Sequence, residues 1–291
     1  MSDEINVNPI LKWAGGKRTS VPEIREFYKQ INPKKYIEPF FGGGAIYFDI
    51  LKTFGTSFKK KSIINDFNTD LINMYKHIKS NPSEVIQYCK ELEKIYHEYD
   101  YYHIRDHYNG LTRDKKKVEQ YTGIIRSAAL ILLNRTCFNG LYRVNLKGLF
   151  NVPKGNYKHP RIIDEENLYL LSEQLPQLEN IRNKEFDEIH DINKGDLVYF
   201  DPPYYPLNET SSFTDYSCPF GKKEHIRLRD YFKKLNNKGV YVMLSNSSSN
   251  FVKEIYKDFK IKEIFVGRNI NSKAGKRGKI PEYLILGEYF I

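Results

Sequence analysis

Cysteine is scarce in this chain, and its placement suggests neither a bond nor a metal. The 291 residues hold three, Cys89, Cys137 and Cys218, far apart and none in a CxxC pair. A zinc site and a disulfide framework are therefore not expected, and the thiols should be reduced. No window comes near the roughly 18 consecutive apolar residues that a membrane span requires. Residues 1–8 are polar and mildly acidic, unlike the basic-then-apolar order of a signal peptide. Internal repeats and low-complexity tracts are lacking too. A phosphate-binding loop also fails, because Gly16-Lys17 is followed by Arg18 and Leu11 stands where its first glycine belongs. What these absences leave is a soluble cytoplasmic protein, either one large domain or a domain with an insertion.

What is present is positive charge and aromatic surface. The formal net charge is +10, with 23 Tyr and 18 Phe, and 40% of residues are hydrophobic, enough to bury a core. A pI near 9.2 with many rings suits a surface that follows phosphates and stacks on bases. Lysine, asparagine and isoleucine richness is also what an AT-rich genome produces, so charge alone does not decide for nucleic acid.

Apolar patterning predicts α/β ends around a helical middle. Tyr36-Ile37-Glu38-Pro39-Phe40 reads as a short strand running into the turn Phe41-Gly42-Gly43-Gly44, then a helix from Ala45 to about Leu51. Ser62-Ile63-Ile64-Asn65 is the next strand, ending at Asp66, and a helix follows Asn68 with Leu71, Ile72 and Tyr75 on one face. Helical pattern continues from Lys76 to Leu133, broken by the charged stretch 112–119, and residues 124–133 look buried. Residues 137–157, rich in Gly, Asn and Arg, read as a hairpin or exposed loop. Strands return at residues 196–200, 240–244, 261–266 and 283–286, the first an unbroken apolar run suited to a central parallel position. One α/β domain carrying an inserted domain explains this order.

A strand, a three-glycine turn, a helix and then an acidic residue 22 positions after Gly44 form the layout of a nucleoside site. The glycines admit a ligand close to the backbone, and Asp66 is placed to accept from ribose hydroxyls. The third glycine of the dinucleotide fingerprint is missing, which weakens a nicotinamide reading; a purely structural turn remains open at this point.

Asp201-Pro202-Pro203-Tyr204 follows directly on the late apolar strand, at the carboxyl end where open α/β sheets bind ligands. Two prolines fix the backbone and remove two donors, leaving the carbonyl of Pro202 rigidly aimed. An aspartate, a fixed carbonyl and a ring can together accept two hydrogen bonds from an exocyclic NH2 while the base stacks alongside. Such an amine is conjugated and a poor nucleophile. Acceptors that draw it toward tetrahedral geometry free its lone pair and stabilise the charge that grows during attack, and in-line placement supplies much of the rest.

With these motifs in place the sequence resembles the Dam-type, DpnM-like α group of adenine-N6 DNA methyltransferases, over nearly its whole length. The blocks that carry the resemblance are Leu11-Lys12-Trp13-Ala14-Gly15-Gly16-Lys17, Glu38-Pro39-Phe40-Phe41-Gly42-Gly43-Gly44, Asn65-Asp66-Phe67-Asn68 and Asn134-Arg135. Further along come Phe138-Asn139-Gly140-Leu141-Tyr142-Arg143, Phe150-Asn151-Val152-Pro153 and the Asp201 tetrad. The resemblance implies a Rossmann-like S-adenosyl-L-methionine-dependent methyltransferase domain with a mostly helical inserted target-recognition domain. In that layout residues 1–76 and 161–291 make the catalytic domain, and residues 77–160 recognise the target, with a DNA-binding hairpin near 137–157. It implies cofactor contacts at Trp13, Lys17, Glu38, Pro39, Phe40, Gly42, Gly44, Asp66 and Asp201, and a flipped adenine held by Asp201, Pro202, Pro203 and Tyr204. For double-stranded DNA it implies Arg143 and Lys12 on guanines, Phe138 in the base stack, and Asn139 in the space a flipped base leaves. Leu141 and Pro153 would touch a thymine methyl. Phe138 lacks the hydroxyl that some relatives carry there. GATC is the target implied, with flipping required because pairing ties up the adenine amine. No metal is expected, the state expected is a monomer, and a restriction endonuclease is a possible functional partner.

Lys273, Lys276, Arg277 and Lys279, with Gly275 and Gly278, are expected to form a cationic loop that closes on phosphates. Rival readings keep the fold and change the substrate to cytosine N4, RNA or a glutamine amide, or keep DNA binding and drop catalysis. Asp at position 201, where cytosine-N4 enzymes more often carry Ser and glutamine-amide enzymes Asn, favours adenine.

Overall fold

The protein is described from a computed structural model covering residues 7–13, 15–207, 220–267 and 279–290, with backbone alone at 266, 267, 279 and 280. Cys218, Lys273, Gly275, Lys276, Arg277 and Gly278 lie outside the described residues, as does the side chain of Lys279. In chain order the elements begin with α1 (Val21–Tyr28), β1 (Tyr36–Glu38), α2 (Ala45–Phe54), β2 (Ser62–Asn65) and α3 (Thr69–Ser80). Next come α4 (Pro82–Glu98), α5 (Tyr101–Asn109), α6 (Gly123–Thr136), α7 (Glu165–Gln174) and a two-residue β3 (Ile181–Arg182). The chain ends with β4 (Leu197–Phe200), α8 (Lys222–Asn237), β5 (Tyr241–Ser247), α9 (Asn250–Ile255), β6 (Lys260–Gly267) and β7 (Lys279–Leu286). The chain is α/β, as its patterning predicts.

These elements form two compact units, one drawn from Lys17–Phe41, Ala45–Phe67 and Lys184–Ile291, the other from Met1–Gly16, Gly42–Gly44 and Asn68–Asn183. In the first, six strands run in the order β2-β1-β4-β5-β7-β6. β1 pairs in parallel with β2 and β4, and β4 with β5, whereas β7 runs antiparallel between β5 and β6. β4 is wholly buried because neighbours flank it on both edges and α8 packs on the sheet; Val198, Phe200, Val242 and Leu244 meet Leu228, Phe232 and Leu235. The parallel register brings the carboxyl ends of β1, β2 and β4 to one edge. The Phe41 amide donates to the Asn65 carbonyl at 2.8 Å, fixing how the chain leaves β1.

The second unit is helical. Asn68 caps α3, its Oδ1 accepting from the Leu71 amide at 3.0 Å, and Leu71, Ile72 and Tyr75 are buried as the periodicity requires. Residues 127–134 of α6 are all buried, since α3, α4 and α5 pack around it. The charged stretch 112–119 is a turn closed by a single Leu111–Lys117 bridge. Residues 137–157 form a loose hairpin held by two isolated antiparallel bridges, Cys137–Lys154 and Val144–Phe150.

Candidate active site and nucleic-acid interface

In the sheet-bearing unit the expected residues converge at the strand ends. The turn Lys17–Thr19 buries the Lys17 side chain, whose Nζ lies 2.8 Å from Asp201 Oδ1 and 4.6 Å from the centre of the Tyr204 ring. Asp201 retains 19% side-chain exposure. Burial pushes its carboxyl up to about 6, Lys17 pulls it down, and Glu282 raises it further. Pro202 is buried and Pro203 exposed, so the two rings separate core from surface.

Glu38 is buried at the end of β1 and accepts from the Tyr36 hydroxyl at 2.8 Å and from the Tyr47 amide. Its carboxyl is held well above the usual range, first by burial and then by the nearby charges of Asp201 and Asp66. Three acidic residues, Glu38, Asp66 and Asp201, thus occupy the ends of adjacent parallel strands. The Pro39 carbonyl accepts from Asn65 Nδ2 at 2.9 Å, and Phe40 packs against Phe186, Phe200 and Phe220 at ring separations of 5.5, 6.4 and 5.6 Å. Carboxylates crowded at low exposure repel one another unless a ligand brings ammonium or hydroxyl donors. A nucleoside with a sulfonium or amino cation fits that demand.

Two residues that motif reading passed over hold the tetrad in place. Tyr204 donates from its hydroxyl to Glu282 Oε2 at 2.7 Å, and the Tyr205 amide donates to Asn246 Oδ1 at 3.0 Å. Both acceptors lie on late strands, β7 and β5, whose antiparallel register sets Ser247 opposite Glu282. No local pattern announces them, since only sheet pairing brings them to residue 204.

In the helical unit the remaining expected residues gather around the hairpin. Asn134 Oδ1 accepts from the Lys12 amide at 2.8 Å, while its Nδ2 donates to the carbonyls of Lys12 and Gly140 at 3.2 and 2.8 Å. The hairpin is therefore pinned to the Lys12-Trp13 segment by one buried amide. Trp13 stacks on Tyr142 with centroids 5.4 Å apart. A Cβ on Gly42, at φ +50°, would stand 2.7 Å from Trp13 Cδ1, so the first glycine of the turn leaves room for the indole; Gly44 also has positive φ, +71°.

Phe138, Asn139, Arg143 and Pro153 face solvent, Leu141 is half-buried, and Asn139 adopts φ +56°, which asparagine tolerates. The Phe138 amide donates to the Pro153 carbonyl at 2.9 Å, joining the two arms of the hairpin. Arg143 Nε donates to Asn151 Oδ1 at 2.8 Å and its Nη2 to the Asn151 carbonyl at 3.4 Å, so the guanidinium lies against the facing arm of the hairpin. Lys12 Nζ lies 4.2 Å from the Tyr157 ring centre. Lys154 and Lys158 line an open depression with Tyr102 and Tyr157, and the Arg113 guanidinium covers Tyr102 at 3.2 Å. Exposed cations over rings are what a nucleic-acid surface needs. Among the described residues no group of His, Cys, Asp and Glu is placed to hold a metal, and no helix is long and apolar enough to cross a membrane.

The chain is similar to known proteins over most of its length. The family model for the D12 class N6 adenine-specific DNA methyltransferases matches residues 13–270. The chain is 41% identical over 289 residues to the Type II methyltransferase M1.LlaDCHI of Lactococcus lactis subsp. cremoris, covering 97% of this chain and 96% of that protein. It is 42% identical over 297 residues to the Type II methyltransferase M.MjaIII of Methanocaldococcus jannaschii, covering 97% and 99%. To the DNA adenine methylase of Escherichia coli K12 it is 32% identical over 280 residues, covering 95% and 94%.

Proposed function

The chain belongs to the D12 class of N6 adenine-specific DNA methyltransferases, and on that premise we propose that it methylates the adenine of double-stranded GATC with S-adenosyl-L-methionine, flipping the base from the helix. The observation that carries the reading is the Lys17–Asp201–Tyr204 cluster at the carboxyl end of β4. Residues 77–160, with the hairpin 137–157, take target recognition, and residues 1–76 and 161–291 take catalysis. The protein works as a cytoplasmic monomer, and a restriction endonuclease is its possible functional partner.

Residue match assigns the donor to Lys17, Glu38, Pro39, Phe40, Asp66 and Asp201, and to Trp13, Gly42 and Gly44. S-adenosyl-L-methionine, when bound, supplies an electrophilic sulfonium methyl. Asp66 accepts from hydroxyls, and Glu38 gains donors beyond those its own neighbours supply. The Asp201 carboxylate and the Pro202 carbonyl accept the two N6 hydrogens, drawing the amine out of conjugation, while the Tyr204 ring stacks on the base. Lys17 keeps Asp201 ionised and oriented. The surplus proton leaves after transfer, so Asp201 need not be a strong base.

On the DNA side Arg143 donates to guanine O6 and N7, the commonest specific base contact. Lys12 serves the second guanine, Phe138 fills the stack, Asn139 occupies the vacated space, and Leu141 and Pro153 meet the thymine methyl. Unpairing costs a few kcal/mol, which these contacts offset.

The test is transfer from labelled S-adenosyl-L-methionine to matched duplexes with and without GATC, followed by nucleoside analysis. N6-methyladenine on the GATC duplex alone is expected. Label on both duplexes would keep the chemistry and overturn the target. Label in cytosine, or none on DNA, would overturn the substrate.

A further inference from the structure

Tyr204 is anchored by a strand that lies far from the tetrad in sequence. Its hydroxyl donates to Glu282 Oε2 at 2.7 Å, and Glu282 reaches that point because β7 pairs antiparallel with β5, setting Glu282 opposite Ser247 and Tyr283 opposite Asn246. The preceding β5 residue, Ser245, shares a 2.7 Å hydrogen bond with Tyr199 of β4, and Asn246 takes the Tyr205 amide. The two residues that follow Pro203 are thus held from both sides: Tyr205 by its backbone and Tyr204 by the tip of its ring. An aromatic side chain turns about two torsions, and the hydroxyl lies on the axis of the second. The bond therefore fixes the first and with it the direction of the ring, while Lys17 Nζ, 4.6 Å from the ring centre, lies over its face.

We propose that Glu282 is a positioning residue of the methyl-transfer site, fixing the Tyr204 ring for the target base and setting the charge that Asp201 feels. The inference rests on the reading of Asp201 to Tyr204 as the amine-holding tetrad and extends it to a residue outside every motif. Two effects follow from one carboxylate. As an acceptor it orients the ring. As an anion on the strand beside the tetrad it opposes Lys17, favouring a more basic Asp201 that accepts more strongly from N6 hydrogens. The ionisable groups facing Asp201 are Lys17 of the N-terminal turn, Glu38 of β1, Tyr199 of β4, Tyr204 of the tetrad and Glu282 of β7. Of these, Glu282 is the one that also accepts from the Tyr204 hydroxyl.

Glu282→Gln and Tyr204→Phe separate the two effects, since both are near-isosteric and leave the strand pairing untouched. Steady-state kcat and donor KM are measured for each variant and the double variant across pH 5–9, with thermal melting as the control on folding. Each single variant is expected to lose about tenfold in kcat with donor KM unchanged, the size of one hydrogen bond to a charged group. Glutamine still accepts from the phenol, so Glu282→Gln removes the charge and leaves a weaker bond, whereas Tyr204→Phe removes the bond alone. The double variant should lose more than either single one but less than their product, because the charge-assisted part of the bond is lost in both. The acid limb of the kcat profile should move to lower pH in Glu282→Gln and stay in place in Tyr204→Phe, since the phenol is neutral throughout. Multiplicative losses in the double variant, or an acid limb that Glu282→Gln leaves in place, would overturn the proposal while the tetrad reading stood. No methyl transfer by the wild-type chain would overturn both.

Discussion

At the scale of single residues the proposed chemistry rests on Asp201, and the surroundings of that carboxyl set the pH at which it would work. With its carboxyl pushed up to about 6, it is ionised above that pH and protonated below. A protonated carboxyl accepts more weakly from an amine, so kcat should fall as pH drops through about 6 and level off above about 7; a profile flat well below the ordinary carboxylate range would contradict this. Asp201→Asn keeps the shape but removes the charge and half the acceptors. It should cost roughly 10²–10³ in kcat, the scale of losing one preorganised electrostatic partner, with donor binding measured separately by calorimetry. Lys17 pairs with this carboxylate inside the protein. Replacing it with methionine should therefore raise the pH of the acid limb, because the cation that favours the ionised form is gone.

The hairpin and the α6 helix act as one element. Asn134 near the end of α6 ties Lys12, Gly140 and so the root of the hairpin together, and Tyr142 stacks on Trp13. Trp13 is the chain's single tryptophan, so its emission reports this stack without interference. Tyr142→Ala should shift and brighten that emission, whereas Tyr142→Phe should leave it nearly unchanged; equal spectra would mean that the rings are apart in solution. Arg143→Ala should cost about 1–3 kcal/mol of discrimination at one base pair and little affinity for non-specific duplex, measured by competition binding. Leu133 lies fully buried in α6, and Leu133→Ala should cost about 2–5 kcal/mol in urea unfolding. That is a large part of the roughly 5–15 kcal/mol that holds a domain folded.

For the whole molecule the governing quantity is net charge, +10 over 291 residues. Cations that meet phosphates release counterions, so log affinity should fall linearly with log salt, by about 0.9 per phosphate contacted. Lys154→Gln or Lys158→Gln should flatten that slope by about one each while leaving sequence preference intact. Neutralising Lys273, Lys276, Arg277 and Lys279 tests the expected cationic loop in the same way, and an unchanged slope would rule it out.

The sequence alone determined the main elements and named the motif residues on which the proposed chemistry rests. Apolar runs such as Leu197 to Phe200 and the Ala128 to Leu133 stretch of α6 admit only buried positions, and turns rich in glycine and proline mark where strands must end. Glu38, Asp66 and Asp201 were legible because each stands at or just past the end of a strand, and parallel strands deliver their carboxyl ends to one edge. The tertiary structure decided what depends on residues distant along the chain. That includes the Lys17–Asp201 ion pair, the Asn134 anchor 122 positions from Lys12, and the Glu282 bond to Tyr204 across 78 positions. A strand's period says which face a side chain takes, but not which neighbour stands beside it. Sheet order and register choose that neighbour, and β7 inserted antiparallel between β5 and β6 is the choice that places Glu282 at the tetrad.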